Sequence, residues 1–457
     1  MARRRGSWGI LCIAFALATC SSVNAQPKKP NIILILADDL GYGDVGCYGQ
    51  THIQTPNIDR LASEGVRFTQ AYAGSAVCAP SRCAMITGLH TGHSFVRGNA
   101  RQNLRADDIT IAEVLKPAGY ATALMGKWGL GDEGSDGLPT RQGFDHFFGY
   151  LNQGHAHNSW PTFLIRDEQR IALNNVVPDE LSNGRGVASK RVDFSNDLIH
   201  HDILNWIDTH KSGSPFLLLA CYTLPHANNE AHVVEVPDLG IYKEKDWPET
   251  QKAYAAAITL LDRYVGEIVA TVKQDGIDND TIILFTSDNG PHREGGNDPQ
   301  FFHSSGKLRG IKRDLYEGGI RVPMIARWPG RVEAGRTSDQ VWAFWDLLPT
   351  AAELGGAKAP NPIDGISMLP AILGQPQTIQ HEYLYWEFHE NGFTQAIRMG
   401  DWKAVRSGVK GPIELYDLGT DPGETIDVAA QHQPDVEKIS KLLRAARTDS
   451  PEWPLPQ

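Results

Sequence analysis

The chain has 457 residues, of which 41% are hydrophobic and 21% charged, a composition that is ordinary for a globular protein with a large core. The formal net charge of −11 argues against a nucleic-acid partner. The sequence also has no run of Lys and Arg after the first few residues. The length allows two or three units, or one large α/β domain with a small one.

The first 25 residues have the pattern of a secretory signal peptide. Residues 3–5 are arginines, residues 10–18 are apolar, and residues 23–25 form a small-residue cleavage site. The apolar run is too short to span a membrane, so we expect no stable membrane insertion. The lipoprotein alternative, with Cys20 as the lipidated residue, fits less well because Thr19 precedes it. A periplasmic or secreted protein is therefore expected.

The sequence holds six cysteines, and two of them lie in the signal. The other four lack the paired spacing of a metal site and are too few for a disulfide framework. They are Cys47, Cys78, Cys83 and Cys221.

Residues 31–37 are a continuous run of β-branched residues and leucine, which predicts a parallel strand buried on both faces. Asp38 and Asp39 follow this strand directly. A solvated turn is the usual structure for adjacent aspartates. At the carboxyl end of a buried strand, however, they indicate a ligand site. The Gly41–Gly43 segment supports this interpretation, since its glycines let the backbone fold tightly around a bound group.

Residues 75–88 predict an extended segment that changes into a helix at Cys78. Pro80 suits the first helical turn, and Gly88 suits a left-handed stop. The free N–H groups of a helix start favour negative charge, and Arg82 lies one turn along the same face. A small buried cysteine without chemistry is the common alternative. The pattern alone indicates a nucleophile-like side chain beside an anion-binding cradle.

Three more apolar runs, at residues 120–125, 215–222 and 281–286, predict buried strands that alternate with helices. This alternation predicts a doubly wound α/β fold with a large parallel or mixed sheet flanked by helices. Polar residues follow the three strands and would meet at one edge of the sheet: Lys127, His226, Asp288 and Asn289. His226 at a strand end is as consistent with capping as with catalysis.

After about residue 374 the pattern changes to short, turn-separated segments, which are typical of an antiparallel sheet, followed by a helix near residues 434–447. We therefore divide the chain into a signal peptide at 1–25, a catalytic α/β domain at 27–375 and a C-terminal α+β subdomain at 376–457.

The sequence Cys-Ala-Pro-Ser-Arg at residues 78–82, followed by Thr87-Gly88, resembles the C-x-P-S-R signature of type I sulfatases in the alkaline phosphatase superfamily. Other segments similar to that family occur in order from Pro30 to about Lys403. The resemblance implies a sulfatase fold with a small C-terminal antiparallel subdomain. It also implies that a maturation enzyme oxidises Cys78 to formylglycine, whose hydrated aldehyde is the nucleophile.

The same resemblance assigns roles within the predicted site. The implied catalytic residues are Cys78, Arg82, Lys127, His226 and Lys307. The implied ligands of a Ca²⁺ ion are Asp38, Asp39, Asp288 and Asn289, an oxygen-only set that suits a hard cation.

One position departs from the family. The usual motif is Lys-Trp-His-Leu-Gly, and Gly129 stands at the position of its histidine. We expect His155, His157 or a substrate hydroxyl to approach the nucleophile through the space at Gly129.

Candidate substrate contacts come from polar and aromatic loops. Residues 154–160 contain imidazoles and an indole, which could stack on a sugar and donate hydrogen bonds to it, or ligate a metal. Arg97 lies in a Gly-flanked loop that is equally consistent with plain surface. The predicted substrate-binding residues are His155, His157, Trp160, Arg97 and His389.

These observations predict an exported, Ca²⁺-dependent sulfatase that acts on sulfated carbohydrates. The alternatives are a phosphodiesterase or phosphonate hydrolase of the same superfamily, and a non-catalytic sulfoglycan-binding protein, which Gly129 suggests.

Overall fold

The computed structural model describes residues 28–99, 102–181, 183–390 and 392–456, together with Ala2 and Gly6. The predicted signal peptide at 1–25 lies outside these residues apart from those two positions. Among the helices of the described ranges, none combines the length and the apolar character that crossing a membrane requires.

The strands in the described ranges are β1 (Asn31–Ala37), β2 (Val66–Tyr72), β3 (Ala121–Lys127), β4 (His146–Tyr150), β5 (Phe163–Arg166), β6 (Gln169–Ala172), β7 (Phe216–Cys221), β8 (Ala227–Asn228), β9 (Val233–Val234), β10 (Thr281–Ser287), β11 (Arg321–Arg327), β12 (Arg336–Ser338), β13 (Trp342–Ala343), β14 (Leu384–Phe388), β15 (Thr394–Met399), β16 (Trp402–Ser407) and β17 (Ile413–Asp417). The helices there are α1 (Pro56–Ser63), α2 (Cys78–Thr87), α3 (Ile111–Leu115), α4 (Ser195–His210), α5 (Glu249–Gln274), α6 (Glu317–Ile320), α7 (Leu347–Gly355), α8 (Leu369–Ile372) and α9 (Gln433–Ala445).

The large sheet has the strand order β12-β2-β11-β10-β1-β7-β3-β4-β5-β6, and β13 also pairs with β2. Its centre is parallel, because β1 pairs in parallel with β10 and β7, and β3 does so with β7 and β4. Its outer parts contain antiparallel pairs such as β10 with β11 and β4 with β5. The predicted mixed, doubly wound sheet is therefore confirmed.

Strand β1 is buried along its whole length because helices cover both faces of the sheet. Ile33 and Ile35 belong to the core that includes α4 and α5, whereas Ile32, Leu34 and Leu36 belong to the core that includes α2, α3 and α7. Successive side chains of a strand point to opposite faces, so a strand with two covered faces needs an unbroken apolar run.

The C-terminal part forms a separate antiparallel sheet in the order β14-β15-β16-β17. Helix α9 packs against it through Ile439 and Leu443. This sheet confirms the predicted C-terminal antiparallel element, while the boundary between residues 375 and 376 stays a prediction.

A buried ion pair connects the two sheets. Lys403 of β16 donates a hydrogen bond to Glu317 Oε1 at 2.9 Å, and neither side chain is exposed. Tyr72 of β2 donates to the other carboxylate oxygen of Glu317 at 2.6 Å. Burial alone would raise the pKa of Glu317, but Lys403 and Arg321 outweigh it and lower that pKa to about 2. The carboxylate is thus charged, and it depends on Lys403 for compensation.

Replacing Lys403 with methionine should lower the free energy of unfolding by about 3 kcal/mol, because it leaves the buried Glu317 carboxylate without the cation bound to its Oε1 and with Arg321 as the remaining ion-pair partner. Chemical denaturation followed by tryptophan fluorescence measures this change. The matched control is Lys410→Met, at an exposed position of the same subdomain, and it should change stability by less than about 0.5 kcal/mol. Equal stabilities of the two variants would contradict the role given to this pair.

Candidate active site

Cys78 is the first residue of α2, next to the carboxyl ends of the central strands. Val77 before it is extended, and Gly88 ends the helix in the left-handed conformation at φ 72°. The N–H of Ala79 donates to Asn99 Oδ1 at 3.0 Å. Burial raises the pKa of the Cys78 thiol well above its usual range; Lys127 opposes this effect and Asp38 adds to it. Unmodified Cys78 is therefore a neutral thiol, a weak nucleophile.

Four oxygen-bearing side chains meet beside Cys78 because β1 and β10 are adjacent and in register, with Ala37 opposite Ser287. They are Asp38, Asp39, Asp288 and Asn289, and all are fully buried. The N–H of Asp39 donates to Asp288 Oδ1 at 3.1 Å, and Asn289 Nδ2 donates to Asp39 Oδ1 at 2.7 Å. Cys78 Sγ lies 3.4 Å from Asp38 Oδ1.

This group fits a hard divalent cation. Asn289 Oδ1 is buried and has no hydrogen-bond partner in the part of the chain that the structure describes, so the cluster holds a neutral oxygen as well as its carboxylates. Burial and the nearby charge of Asp38 raise the pKa of Asp288 to about 7, despite the opposing effect of Arg82. A cation bound to these oxygens would relieve that repulsion, and oxygen-only sets of this kind suit calcium or magnesium.

Each aspartate has its own buried cation. Arg82 donates to Asp288 Oδ2 from Nε at 3.0 Å and from Nη2 at 2.8 Å. Lys127 Nζ donates to Asp38 at 2.7 Å, and Lys312 Nζ donates to Asp39 at 2.7 Å. Three positive charges therefore balance three negative charges. A divalent cation bound among the carboxylates would leave net positive charge, which favours an anionic ligand.

His226 follows β7 and faces Lys312. Its Nδ1 donates to the carbonyl oxygen of Ala227 at 2.6 Å, so its Nε2 is the acceptor for Lys312 Nζ at 3.2 Å. Burial and the charge of Lys312 hold the pKa of His226 well below its usual range. Burial opposes the charged form of Lys312, but Asp39 and Glu294 raise its pKa above the usual value. The proton of this pair therefore belongs to Lys312.

The structure corrects the prediction for Lys307. Lys307 is exposed and lies in a separate surface depression with Gln300 and His303, whereas Lys312 lies in the site. Gly310 turns the chain at φ +87°, and the N–H of Lys312 donates to the carbonyl of Pro291, which draws this residue inward. The two lysines are five residues apart in one loop, so the pattern alone does not distinguish them.

A pocket of about 300 Å³ opens over Cys78, His226 and Lys312. Of the predicted substrate residues, His157 lines it and stacks on His226, with ring centroids 5.1 Å apart. His155 does not line it, because its Nε2 donates to the carbonyl of Phe163 and its ring packs on Tyr150.

The structure does not place Trp160, Arg97 or His389 in the lining of this pocket. Trp160 is buried against Phe194. Arg97 and His389 both bind Glu387 Oε1, at 2.9 and 3.0 Å, and the Arg97 contact joins the C-terminal sheet to the loop after α2. These side chains have structural partners, which a pattern of residue types does not reveal.

The sequence analysis missed most of the pocket wall. Its commonest groups are carboxamides: Asn99, Gln102, Asn103, Asn152, Gln153, Asn183 and Asn229. Two arginines and two acids, Arg185, Arg313, Asp132 and Glu390, add charge. Isolated Asn and Gln residues in loops are typical turn and surface residues, so only the fold assembles them.

The fold and the site thus define an α/β protein with a buried acidic cluster that could hold a metal ion, surrounded by three cationic side chains. The sequence profile of the family described as Sulfatase matches residues 30–357, and the profile described as N-sulphoglucosamine sulphohydrolase, C-terminal, matches residues 311–449. The N-acetylgalactosamine-6-O-sulfatase of Bacteroides thetaiotaomicron is 32% identical over 92% of this chain and 94% of that protein. Arylsulfatase A of Homo sapiens is 31% identical over 92% of this chain and 88% of that protein. The crystal structure of Ps i-CgsB in complex with k-i-k-neocarrahexaose has a TM-score of 0.79 at 30% identity, over 94% of this chain and 96% of that chain.

The chain belongs to the sulfatase family, the type I sulfatases of the alkaline phosphatase superfamily, and it is a sulfuric ester hydrolase. This membership confirms the resemblance seen in the motif around Cys78. It favours sulfate ester hydrolysis over the phosphodiesterase and non-catalytic alternatives.

Replacing Lys312 with alanine should lower kcat on a chromogenic aryl sulfate by about 10²–10³-fold, the usual effect of removing one preorganised charge donor. Steady-state kinetics of the fully matured enzyme measure this effect. Lys307→Ala is the matched control from the same loop and should stay within about twofold of wild type. Loss of activity in Lys307→Ala together with an active Lys312→Ala would show that Lys307 is the catalytic lysine, as the sequence motif predicts.

Proposed function

We propose that the protein is an exported sulfatase that uses calcium and a formylglycine at position 78 to hydrolyse sulfate monoesters of sulfated carbohydrates. The observation that carries the proposal is the buried group around Cys78, in which Arg82, Lys127 and Lys312 neutralise three carboxylates. With a divalent cation added, this group attracts a sulfate. The pattern of residues 1–25 supports export.

The pocket wall supports a sugar substrate. Carboxamides both donate and accept hydrogen bonds, as hydroxyl groups require, and seven of them line the pocket. No Phe, Tyr or Trp side chain from the described residues lines it, which suits a polyhydroxylated ring better than an aryl group. The names of the relatives agree, since one is an N-acetylgalactosamine-6-O-sulfatase and one crystal structure holds a neocarrahexaose.

The residues of the chain divide the work as follows. Lys312 lines the pocket and would contact the sulfate group, while the buried side chains of Arg82 and Lys127 add positive charge beneath it. Lys312 carries the proton nearest to His226, so this pair delivers the proton that the departing sugar oxygen needs. In this proposal formylglycine supplies the nucleophilic hydroxyl oxygen, and calcium supplies positive charge to the sulfate oxygens.

The position of Lys312 also favours one metal ion over two. Asp39, His292 and Glu294 are close enough together to hold a second cation. Lys312 Nζ, however, lies 2.7 Å from Asp39 and 3.2 Å from Glu294, and its charge would repel a metal there. A lysine in place of a second metal is consistent with a sulfatase rather than with a two-metal phosphodiesterase.

Protein produced together with a formylglycine-generating enzyme should carry an aldehyde in the tryptic peptide of residues 68–82, which mass spectrometry detects. It should hydrolyse an aryl sulfate and sulfated monosaccharides or oligosaccharides, and it should leave an aryl phosphate diester essentially unchanged. Cys78→Ala should fold normally and lose turnover. Fully active protein with only unmodified cysteine, or preferred hydrolysis of the phosphate diester, would refute the proposal.

Purified enzyme should contain about one calcium ion per chain, and exhaustive chelation should lower both Tm and kcat, because binding to the folded state stabilises it. Asp38→Asn should lose the calcium and its stabilising effect. Asp132→Asn, at the same pocket but without contact to the carboxylate cluster, should retain the calcium. Elemental analysis and thermal unfolding measure these effects. A metal-free enzyme with unchanged Tm and kcat would contradict the calcium site.

A further inference from the structure

The space beside Gly129 is filled by Gln153, in the turn that follows β4. Gly129 has φ +80°, and a Cβ atom built there would lie 2.2 Å from Gln153 Nε2 and 3.1 Å from its Cδ. Both residues line the pocket that contains Cys78. The carboxamide of Gln153 thus occupies the volume that a side chain at position 129 would need.

This finding corrects the expectation for the two histidines. His155 is turned towards the carbonyl of Phe163. His157 stacks on His226, and its Nδ1 lies 3.4 Å from Glu230 Oε2. The group next to Gly129 is therefore an amide and not an imidazole.

The hydrogen bonding of Gln153 is incomplete. Its Nε2 donates a long bond of 3.5 Å to the carbonyl oxygen of Gly129. Its Oε1 is buried and has no partner among the described residues. An amide oxygen only accepts hydrogen bonds, so its missing partner must be a donor. A sulfate monoester is a monoanion with no hydrogen on its sulfate oxygens, and this leaves a hydroxyl or an N–H group as the partner.

Gln153 lies towards the cationic end of the pocket. The same Cβ position at Gly129 is 3.7 Å from Arg82 Cδ, and Arg82 binds both Asp288 and the carbonyl oxygen of Lys127. The carboxamide is thus next to the groups that surround Cys78.

We propose that Gln153 Oε1 accepts a hydrogen bond from a hydroxyl group at the cationic end of the pocket and so orients the reacting groups. The hydroxyl has two possible sources, the sugar ring beside the sulfate ester or the hydrated formylglycine. A neutral amide takes up no proton near neutral pH, so Gln153 orients this hydroxyl and does not remove its proton. This inference rests on the proposed sulfatase function.

The test uses Gln153→Met, because methionine fills a similar volume and lacks the amide oxygen. In the matured enzyme kcat or kcat/KM on a sulfated monosaccharide should fall at least tenfold, and thermal unfolding should show a folded protein. Gln153→Glu, which restores an acceptor oxygen, should recover part of this loss and add a pH dependence that wild type lacks. Gln274→Met makes the same substitution at an exposed carboxamide at the end of α5, outside the pocket, and serves as the matched control, with kcat within about twofold of wild type.

Calorimetric binding of N-acetylgalactosamine 6-sulfate to protein with unmodified Cys78 separates the two sources. If the sugar provides the hydroxyl, Gln153→Met weakens this binding at least fivefold. If formylglycine provides it, binding is unchanged and only kcat of the matured enzyme falls. A variant within twofold of wild type in both binding and kcat overturns the inference. Wild-type enzyme that hydrolyses no sulfate ester would instead refute the proposed function.

A double-variant cycle tests separately whether Gln153 occupies the space beside Gly129. Gly129→Ala should lower Tm because its Cβ meets the amide of Gln153, and adding Gln153→Ala should restore part of that loss without restoring kcat. Strictly additive changes in Tm would contradict the contact on which the inference is built.

Discussion

The site depends on a balance of buried charge at one edge of the large sheet. Asp38, Asp39 and Asp288 lie side by side because parallel neighbouring strands end together, and each of them is held by one of three buried cations. Without those cations the carboxylates would repel one another and resist burial. In the proposed function the same cations, together with a bound divalent ion, attract the anionic substrate. The same buried charges therefore serve both stability and function. Removing either the carboxylates or the cations would disturb both.

The smaller sheet takes part in this arrangement in two ways. Lys403 compensates Glu317, which starts the short helix ahead of β11, so the ion pair ties β16 to the large sheet. Glu390 follows β14 and lines the pocket, where it also receives a hydrogen bond from Arg313. Both sheets thus position charged side chains of the pocket wall. The C-terminal subdomain is part of the site's construction and more than a cover for the larger core.

Much of this architecture is predictable where one physical demand dominates the sequence. The apolar run of residues 31–37 gives bounds that agree with those of β1, because burial on two faces dictates the residues. The polar residues after the buried strands were also foreseen, since strand ends converge. The sequence did not predict that Lys312, instead of Lys307, lies in the site. It also did not predict the structural roles of Arg97 and Trp160. These depend on the backbone of loops and on partners from 34 to 290 residues away along the chain, for which local patterns carry no signal.

The central strand has a consequence for how the chain is made. Its neighbour β10 begins 250 residues later, at Thr281 opposite Asn31, so β1 leaves the ribosome long before that pairing can form. Until then an uncharged strand of seven residues, six of them apolar, lacks one of its native neighbours, and such segments promote association between chains. Contacts between distant parts of a chain also form slowly. We therefore expect that variants which weaken this late pairing aggregate during synthesis, so that their yield falls before the specific activity of the folded molecules changes.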